Sequence, residues 1–160
     1  MGSGDAEIAA FAESIERAVA EAYEQANERL DAAGLHTAGS FADHHRDHHV
    51  ALGDAAGDAS TGEPNAALLE ELTQQIEDAA DDAALLGVFS DLEAALTATH
   101  LFLLGAYSST DALQLTAAIL PIEAQHVVAI GATLDRPLVE LAPSFENTDR
   151  ALTPEAFPLE

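Results

Sequence analysis

The stretch from Ile119 to Pro137, ILPIEAQHVVAIGATLDRP, carries the clearest structural and chemical signal in the chain. Glu123 and His126 lie three residues apart, which places both side chains on one face of a helix. The apolar residues around them on that face are Ile119, Val127 and Ile130. A carboxylate and an imidazole on an apolar face are costly to bury unless partners compensate them. The stretch therefore predicts a core helix that needs polar partners from its neighbours.

Helical periodicity extends from this stretch toward the N-terminus. We predict a single domain, 1–160, whose helices cover about 5–32, 40–53, 66–106 and 111–134, followed by an extended, proline-containing tail over 136–160. Gly34 is placed to end the first helix, His36 falls in a loop, and Pro121 predicts a kink or restart. The third helix is either continuous or broken near 81–82. The segment 53–64 is rich in Gly, Asp, Ser and Thr and predicts the one long connection.

The predicted second helix contains four histidines within the run DHHRDHH at 43–49. Phe41 and Leu52 mark its buried face, and His45 and His48 fall on the same stripe at helical spacing. His44 and His49 flank that stripe on either side. The run is therefore a two-faced helix and not a histidine-rich tail.

The first and third predicted helices add further polar side chains to buried faces. Glu93 lies in the middle of an apolar stripe that also carries His100. Burying an isolated glutamate there costs on the order of several kcal/mol, so a partner inside the bundle is expected. On the first helix Glu16 lies nearest to the apolar stripe among the glutamates that follow Phe11, and Tyr23 follows one heptad later.

All four predicted helices thus direct a carboxylate or an imidazole toward a shared interior. Oxygen and nitrogen ligands of this kind suit iron, manganese or zinc. The same residues can instead form a hydrogen-bonded polar network that contains no metal. Both interpretations require the side chains to converge.

The chain resembles the ferritin-like superfamily, and within it the "ferritin-like domain" proteins of bacteria and fungi. The resemblance implies an all-α, ferritin-like four-helix bundle with one long crossover, in which two helices each supply a glutamate and two each supply Glu-x-x-His. On that pattern Glu16, Glu93, Glu123 and His126 are metal ligands. Tyr23 is similar to the tyrosine near the metal of bacterioferritins, which implies a catalytic role as electron donor.

The second helix departs from the family pattern, because His45-x-x-His48 stands where Glu-x-x-His is usual. The missing glutamate ordinarily bridges two metal ions, and a neutral imidazole does not bridge. The departure leaves three alternatives: a mononuclear site, a differently bridged pair that recruits His44, His49 or His100, or a retired site.

The resemblance implies a metal-binding protein, with an iron- or manganese-dependent oxidase acting on oxygen or peroxide as the enzymatic interpretation. Iron, in a mononuclear or dinuclear centre, is the expected cofactor, with manganese or zinc as alternatives. The competing interpretation is a non-catalytic binding or structural module that keeps a polar Glu/His interior.

The composition excludes several other classes of protein. The chain has 29 acidic residues against five arginines and a formal net charge of −24. This charge repels nucleic acid. It is explained either by adaptation to salt or by a need to concentrate cations near the surface. It contains no cysteine and no G-x-S-x-G motif, which excludes a cysteine hydrolase and a hydrolase with a serine elbow. No membrane span is expected. Cytoplasmic and exported locations both stay open, as does a homodimer.

Overall fold

The computed structural model describes residues 2–27, 29, 32–144 and 147–159, with backbone alone for 32–38. Within that part of the chain all regular structure is helical, and the predicted all-α class is confirmed. The helices are α1 Ser3–Asn27, α2 Ala32–Ala56, α3 Ala66–Asp78, α4 Asp82–Ala106, α5 Thr110–Thr133 and α6 Leu138–Leu141, with a 3₁₀ turn at Gly57–Ala59.

The four long helices pack as two pairs. α1 lies along α2, and α4 lies along α5, while α3 belongs to the crossover between the pairs and packs mainly against α1. α1 is rich in alanine and is buried on several sides, since α2, α3 and α4 all contact it. Small side chains let neighbouring helices approach closely. The interior between the two pairs is where the polar side chains meet.

Three boundaries differ from the sequence-based prediction. α1 ends at Asn27 and not near residue 32, and α2 begins at Ala32, so Gly34 and His36 lie within a helix. Glycine costs a helix about 1 kcal/mol relative to alanine, so its presence at position 34 does not by itself end α2. The extended tail also contains the short helix α6, which sequence reasoning did not anticipate.

Side-chain caps explain where the later helices begin. Asn65 accepts a hydrogen bond from the Leu68 N–H at 3.1 Å, and Asp81 accepts one from the Ala84 N–H at 2.9 Å. The predicted third helix is therefore two helices, with the break at the position expected. Pro121 lies inside α5, which continues without a restart.

The ends of the bundle are tied together by polar contacts. The Asp5 carboxylate near the start of α1 accepts hydrogen bonds from the backbone N–H groups of Ser108 and Ser109, at 2.8 and 2.9 Å. The tail returns along α4, where the Leu152 N–H donates to the Thr99 hydroxyl at 2.8 Å. These contacts hold the two helix pairs in register around the interior.

α5 is long and apolar enough to cross a bilayer by length and composition alone, contrary to the expectation that no segment qualifies. Core helices of bundles meet the same criterion. The buried stripe of α5 carries Glu123 and His126 and faces the interior of the bundle, against α4 and α2. The buried stripe accounts for part of this apolar composition, since 33% of the apolar window of α5 is buried.

The glycine at 131 gives a test of helix packing. A Cβ built on Gly131 would lie 2.9 Å from Leu141 Cγ and closer still to its terminal carbons, whereas one on Gly87 would meet nothing within 4 Å. We expect Gly131→Ala to destabilise the fold by roughly 1–3 kcal/mol through overpacking. Gly87→Ala should stabilise it by about 0.5–1 kcal/mol. Urea unfolding of both variants measures this, and equal effects would contradict the packing at α6.

Candidate metal centre

Six ionisable side chains from the four long helices converge in the middle of the bundle. Five are nearly or fully buried, and His48 is the partial exception, with 12% of its side chain exposed. The six are Glu16 from α1, His45 and His48 from α2, Glu93 from α4, and Glu123 and His126 from α5. They form two overlapping groups, and within each group the potential ligand atoms lie within 4.8 Å of one another.

The first group consists of Glu16, His45, His48 and Glu123. His45 Nδ1 lies 2.7 Å from Glu16 Oε2. His48 Nδ1 lies 2.9 Å from Glu123 Oε1 and 3.5 Å from Glu16 Oε2. Two carboxylates and two imidazoles therefore surround one point beside α2.

The second group consists of His45, Glu93, Glu123 and His126. His45 Nε2 lies 3.2 Å from Glu93 Oε1, and His126 Nδ1 lies 3.2 Å from Glu93 Oε2. His126 Nδ1 is also 3.5 Å from Glu123 Oε2. His45 and Glu123 thus belong to both groups.

Aromatic rings close the site on the α1 side and the α5 side. The Tyr23 hydroxyl donates a hydrogen bond to Glu93 Oε1, and the Tyr23 ring stacks on Phe89 with centroids 4.1 Å apart. Phe41 stacks on the His126 ring at 3.9 Å. These rings exclude water from the second group, so charges there interact strongly.

Three further histidines named from the sequence have different positions. His100 Nε2 lies 2.6 Å from Glu16 Oε1, and His44 Nδ1 lies 2.9 Å from His126 Nε2. Each of the two therefore contacts a member of the site without belonging to either group. His49 is in neither group, and the prediction that would recruit it has no support from the arrangement.

The buried charges shift one another's proton affinities. Burial disfavours a charged imidazole, yet contacts with Glu123 and Glu16 raise the pKa of His48 to about 9. Burial alone would raise the pKa of the Glu123 carboxyl, but the neighbouring His45 imidazolium holds that pKa well below its usual range. Burial and the adjacent Glu93 carboxylate raise the pKa of the Tyr23 phenol. Without a metal the cluster is a set of carboxylates neutralised by protonated imidazoles.

The hydrogen bonding of Glu123 indicates whether this cluster fits a cation. Both of its carboxylate oxygens are buried and make no hydrogen bond, although His48 Nδ1 lies only 2.9 Å from Oε1. His48 Nδ1 is likewise buried without a hydrogen bond, because the two groups are not aligned for one. Buried polar atoms are almost always paired, and unpaired ones need an explanation. Oxygen and nitrogen atoms that lie within 4.8 Å of one another and lack hydrogen bonds suit a divalent cation.

The fold and the site define a four-helix bundle with a buried Glu/His cluster able to bind metal. The match to a family model, the ferritin-like domain, covers residues 4–136, and the chain belongs to that family. The resemblance found in the sequence is confirmed. No curated protein and no solved structure matches the chain.

Sequence reasoning understated two features of the site. Glu16 was assigned to the edge of an apolar stripe, yet it is completely buried, because α1 is covered on several sides. Glu13, one turn earlier, was set aside but is also buried, with its carboxylate accepting a hydrogen bond from Ser60 at 2.7 Å. The alanine content of α1 was the available signal, since a helix of small residues can be enclosed from several directions.

The raised pKa of His48 predicts a pH dependence for the metal-free protein. The unfolded value is 6.5 and the folded value is about 9, so the stabilisation is complete below pH 6.5 and is lost as pH rises through 9. The pKa values of His45 and His126 are also raised, which adds to the same trend. We expect the free energy of unfolding to fall by roughly a few kcal/mol between pH 6.5 and 9. Chemical unfolding in the presence of a chelator measures it.

The control for this prediction is the His48→Gln variant, whose stability should fall less steeply over the same interval. A metal-free stability that is constant or rising between pH 6.5 and 9 would contradict the assigned charge states. Cation binding should show the opposite trend and tighten with pH, because the cation displaces protons from the same imidazoles.

Proposed function

We propose that this protein binds a transition metal in the Glu/His cluster and acts as an iron- or manganese-dependent oxidase on oxygen or peroxide. The single observation that supports metal binding best is the buried Glu123 carboxylate, whose two oxygens accept no hydrogen bond although the His48 imidazole lies 2.9 Å away. A protein that used the cluster only as a polar core would be expected to pair them.

The proposal gives each side chain a distinct part. Glu16, Glu93 and Glu123 supply anionic oxygen ligands, while His45, His48 and His126 supply nitrogen ligands. The bound metal would supply redox chemistry with a small oxidant. His48, at 12% side-chain exposure, marks the side on which such an oxidant can approach.

Tyr23 is the residue proposed to donate an electron. Its hydroxyl donates to Glu93, and its ring lies 5.4 Å from the His45 ring at an angle of 17°. The phenol proton therefore has an acceptor beside it when the ring is oxidised. Iron fits the mixed oxygen and nitrogen donors, as does manganese, and zinc would fit a site without redox activity.

The second candidate function is a non-catalytic binding or structural module. One observation favours it: the imidazoles already contact carboxylates directly, with His45 2.7 Å from Glu16 and His100 2.6 Å from the same residue. Much of the cluster is thus neutralised by protons. Under this alternative Glu123 is held by ion pairs with His48 and His126, at 2.9 and 3.5 Å, without a hydrogen bond.

Replacing Glu123 by glutamine separates the two functions. We expect Glu123→Gln to remain folded and to lose at least tenfold in iron or manganese affinity, because it removes an anionic ligand from both groups. Elemental analysis after metal loading and gel filtration measures this. The matched control is Glu77→Gln, an exposed glutamate on α3. Equal metal content in the unmodified protein and in both variants would contradict the metal site.

The Tyr23→Phe variant tests the electron-donor role. We expect metal content to stay unchanged and oxygen consumption with ferrous iron to fall at least tenfold, because the oxidisable phenol is gone. Oxygen-electrode measurements on the iron-loaded protein check this. Tyr107→Phe is the control, since Tyr107 is also buried but follows α4 near Asp5. Undiminished oxygen uptake in Tyr23→Phe would remove Tyr23 from the mechanism.

A further inference from the structure

His45 presents its two ring nitrogens to different groups of ligands. Nδ1 faces the first group, 2.7 Å from Glu16 Oε2 and 4.0 Å from Glu123 Oε2. Nε2 faces the second group, 3.2 Å from Glu93 Oε1. The ring is completely buried and lies against Tyr23, with planes inclined by 17°, so its orientation is held by packing.

Glu123 is divided between the groups in the same way. Its Oε1 lies 2.9 Å from His48 Nδ1 in the first group, and its Oε2 lies 3.5 Å from His126 Nδ1 in the second. His45 therefore offers one nitrogen to each group, whereas Glu123 offers Oε1 to the first group and an Oε2 that lies near both His126 Nδ1 and His45 Nδ1. Two groups related in this manner describe two neighbouring cation positions.

We propose that His45 is the bridging ligand of a two-cation centre, with Nδ1 bound to one cation and Nε2 to the other. The proposal rests on the metal binding proposed above. A ring bound through both nitrogens has lost both N–H protons of the imidazolium that stands in the metal-free site; the two protons pass to bulk water, and the ring then carries one negative charge. His45 thus takes the place of the glutamate that the ferritin-like pattern has on this helix.

The charge balance of the buried site agrees with this role. Glu16, Glu93 and Glu123 contribute three negative charges, and a doubly bound His45 contributes a fourth. Four negative charges match two divalent cations, as do the four glutamates of the family pattern. A neutral His45 would leave an excess positive charge in a dry interior, where uncompensated charge is costly.

A ring between the cations also changes their separation. The N–C–N path across the ring holds cations farther apart than the about 3.5–4 Å typical of two-metal sites. Exchange between two unpaired electrons then reports a shared ligand, and its loss on substitution of His45 assigns the bridge to the ring and not to Glu123. Copper(II), which has one unpaired electron per ion, is a suitable probe.

The test is copper(II) loading of the metal-free protein, followed by washing with a weak chelator, elemental analysis and electron paramagnetic resonance. We expect two retained copper ions per chain and a low-temperature spin count well below one per copper. His45→Asn should retain one copper with a full spin. His49→Asn makes the same substitution four residues along α2, outside both groups, and should retain the coupled pair.

Each outcome bears on a different statement. No retained copper in the unmodified protein would overturn metal binding itself. One copper, or two with full spin, would overturn the His45 bridge and leave metal binding in place. If His45→Asn does not fold, His45→Glu is the deciding variant, because Glu123 is shared by both groups and can also transmit exchange in the unmodified protein. His45→Glu restores the family's carboxylate and should keep two ions with a changed coupling.

Discussion

The burial of three carboxylates in one small volume is the constraint on which the rest of the structure depends. Glu16, Glu93 and Glu123 are all fully buried, and their mutual repulsion would separate the helices if nothing compensated it. Imidazoles from α2 and α5 provide that compensation, as protonated partners or as co-ligands of a cation. A bundle that keeps such a centre must hold four helices at fixed distances, because removing either kind of partner leaves an uncompensated charge.

The fold meets this constraint with two helix pairs, α1 with α2 and α4 with α5, that face each other across the cluster. α1 and α2 bring Glu16 against His45, while α4 and α5 bring Glu93 against His126. The crossover with α3 then closes one pair on the other, and the contact of His100 with Glu16 joins residues 84 positions apart. The alanines of α1 allow this approach, since larger side chains would hold the carboxylates out of reach of the imidazoles.

Periodicity could predict those site residues that lie centrally on a strongly apolar face, such as Glu93 and His126. Periodicity underestimated the burial of Glu16. An apolar stripe calculated for a single helix assumes that the helix is buried on one side, whereas α1 is covered on several sides. His49 illustrates the opposite error: a flanking position on a two-faced helix can lie near a site without reaching it. The early start of α2 was missed because glycine at 34 predicts a helix end, whereas its cost of about 1 kcal/mol is small enough for a helix to contain it.

The acidic exterior and the acidic interior have different physical consequences. Exposed carboxylates attract cations over about a Debye length, roughly 10 Å at 0.1 M salt, and distinguish poorly between metals. The buried carboxylates act in a dry space walled by Phe41 and Phe89, where ligand geometry and total charge decide what can enter. A net charge of −24 can therefore raise the local supply of cations, but selectivity must come from the cluster. Among the six members of the cluster, His48 alone is partly exposed. The α2 side is therefore where the buried ligands contact the surrounding solution and its cations.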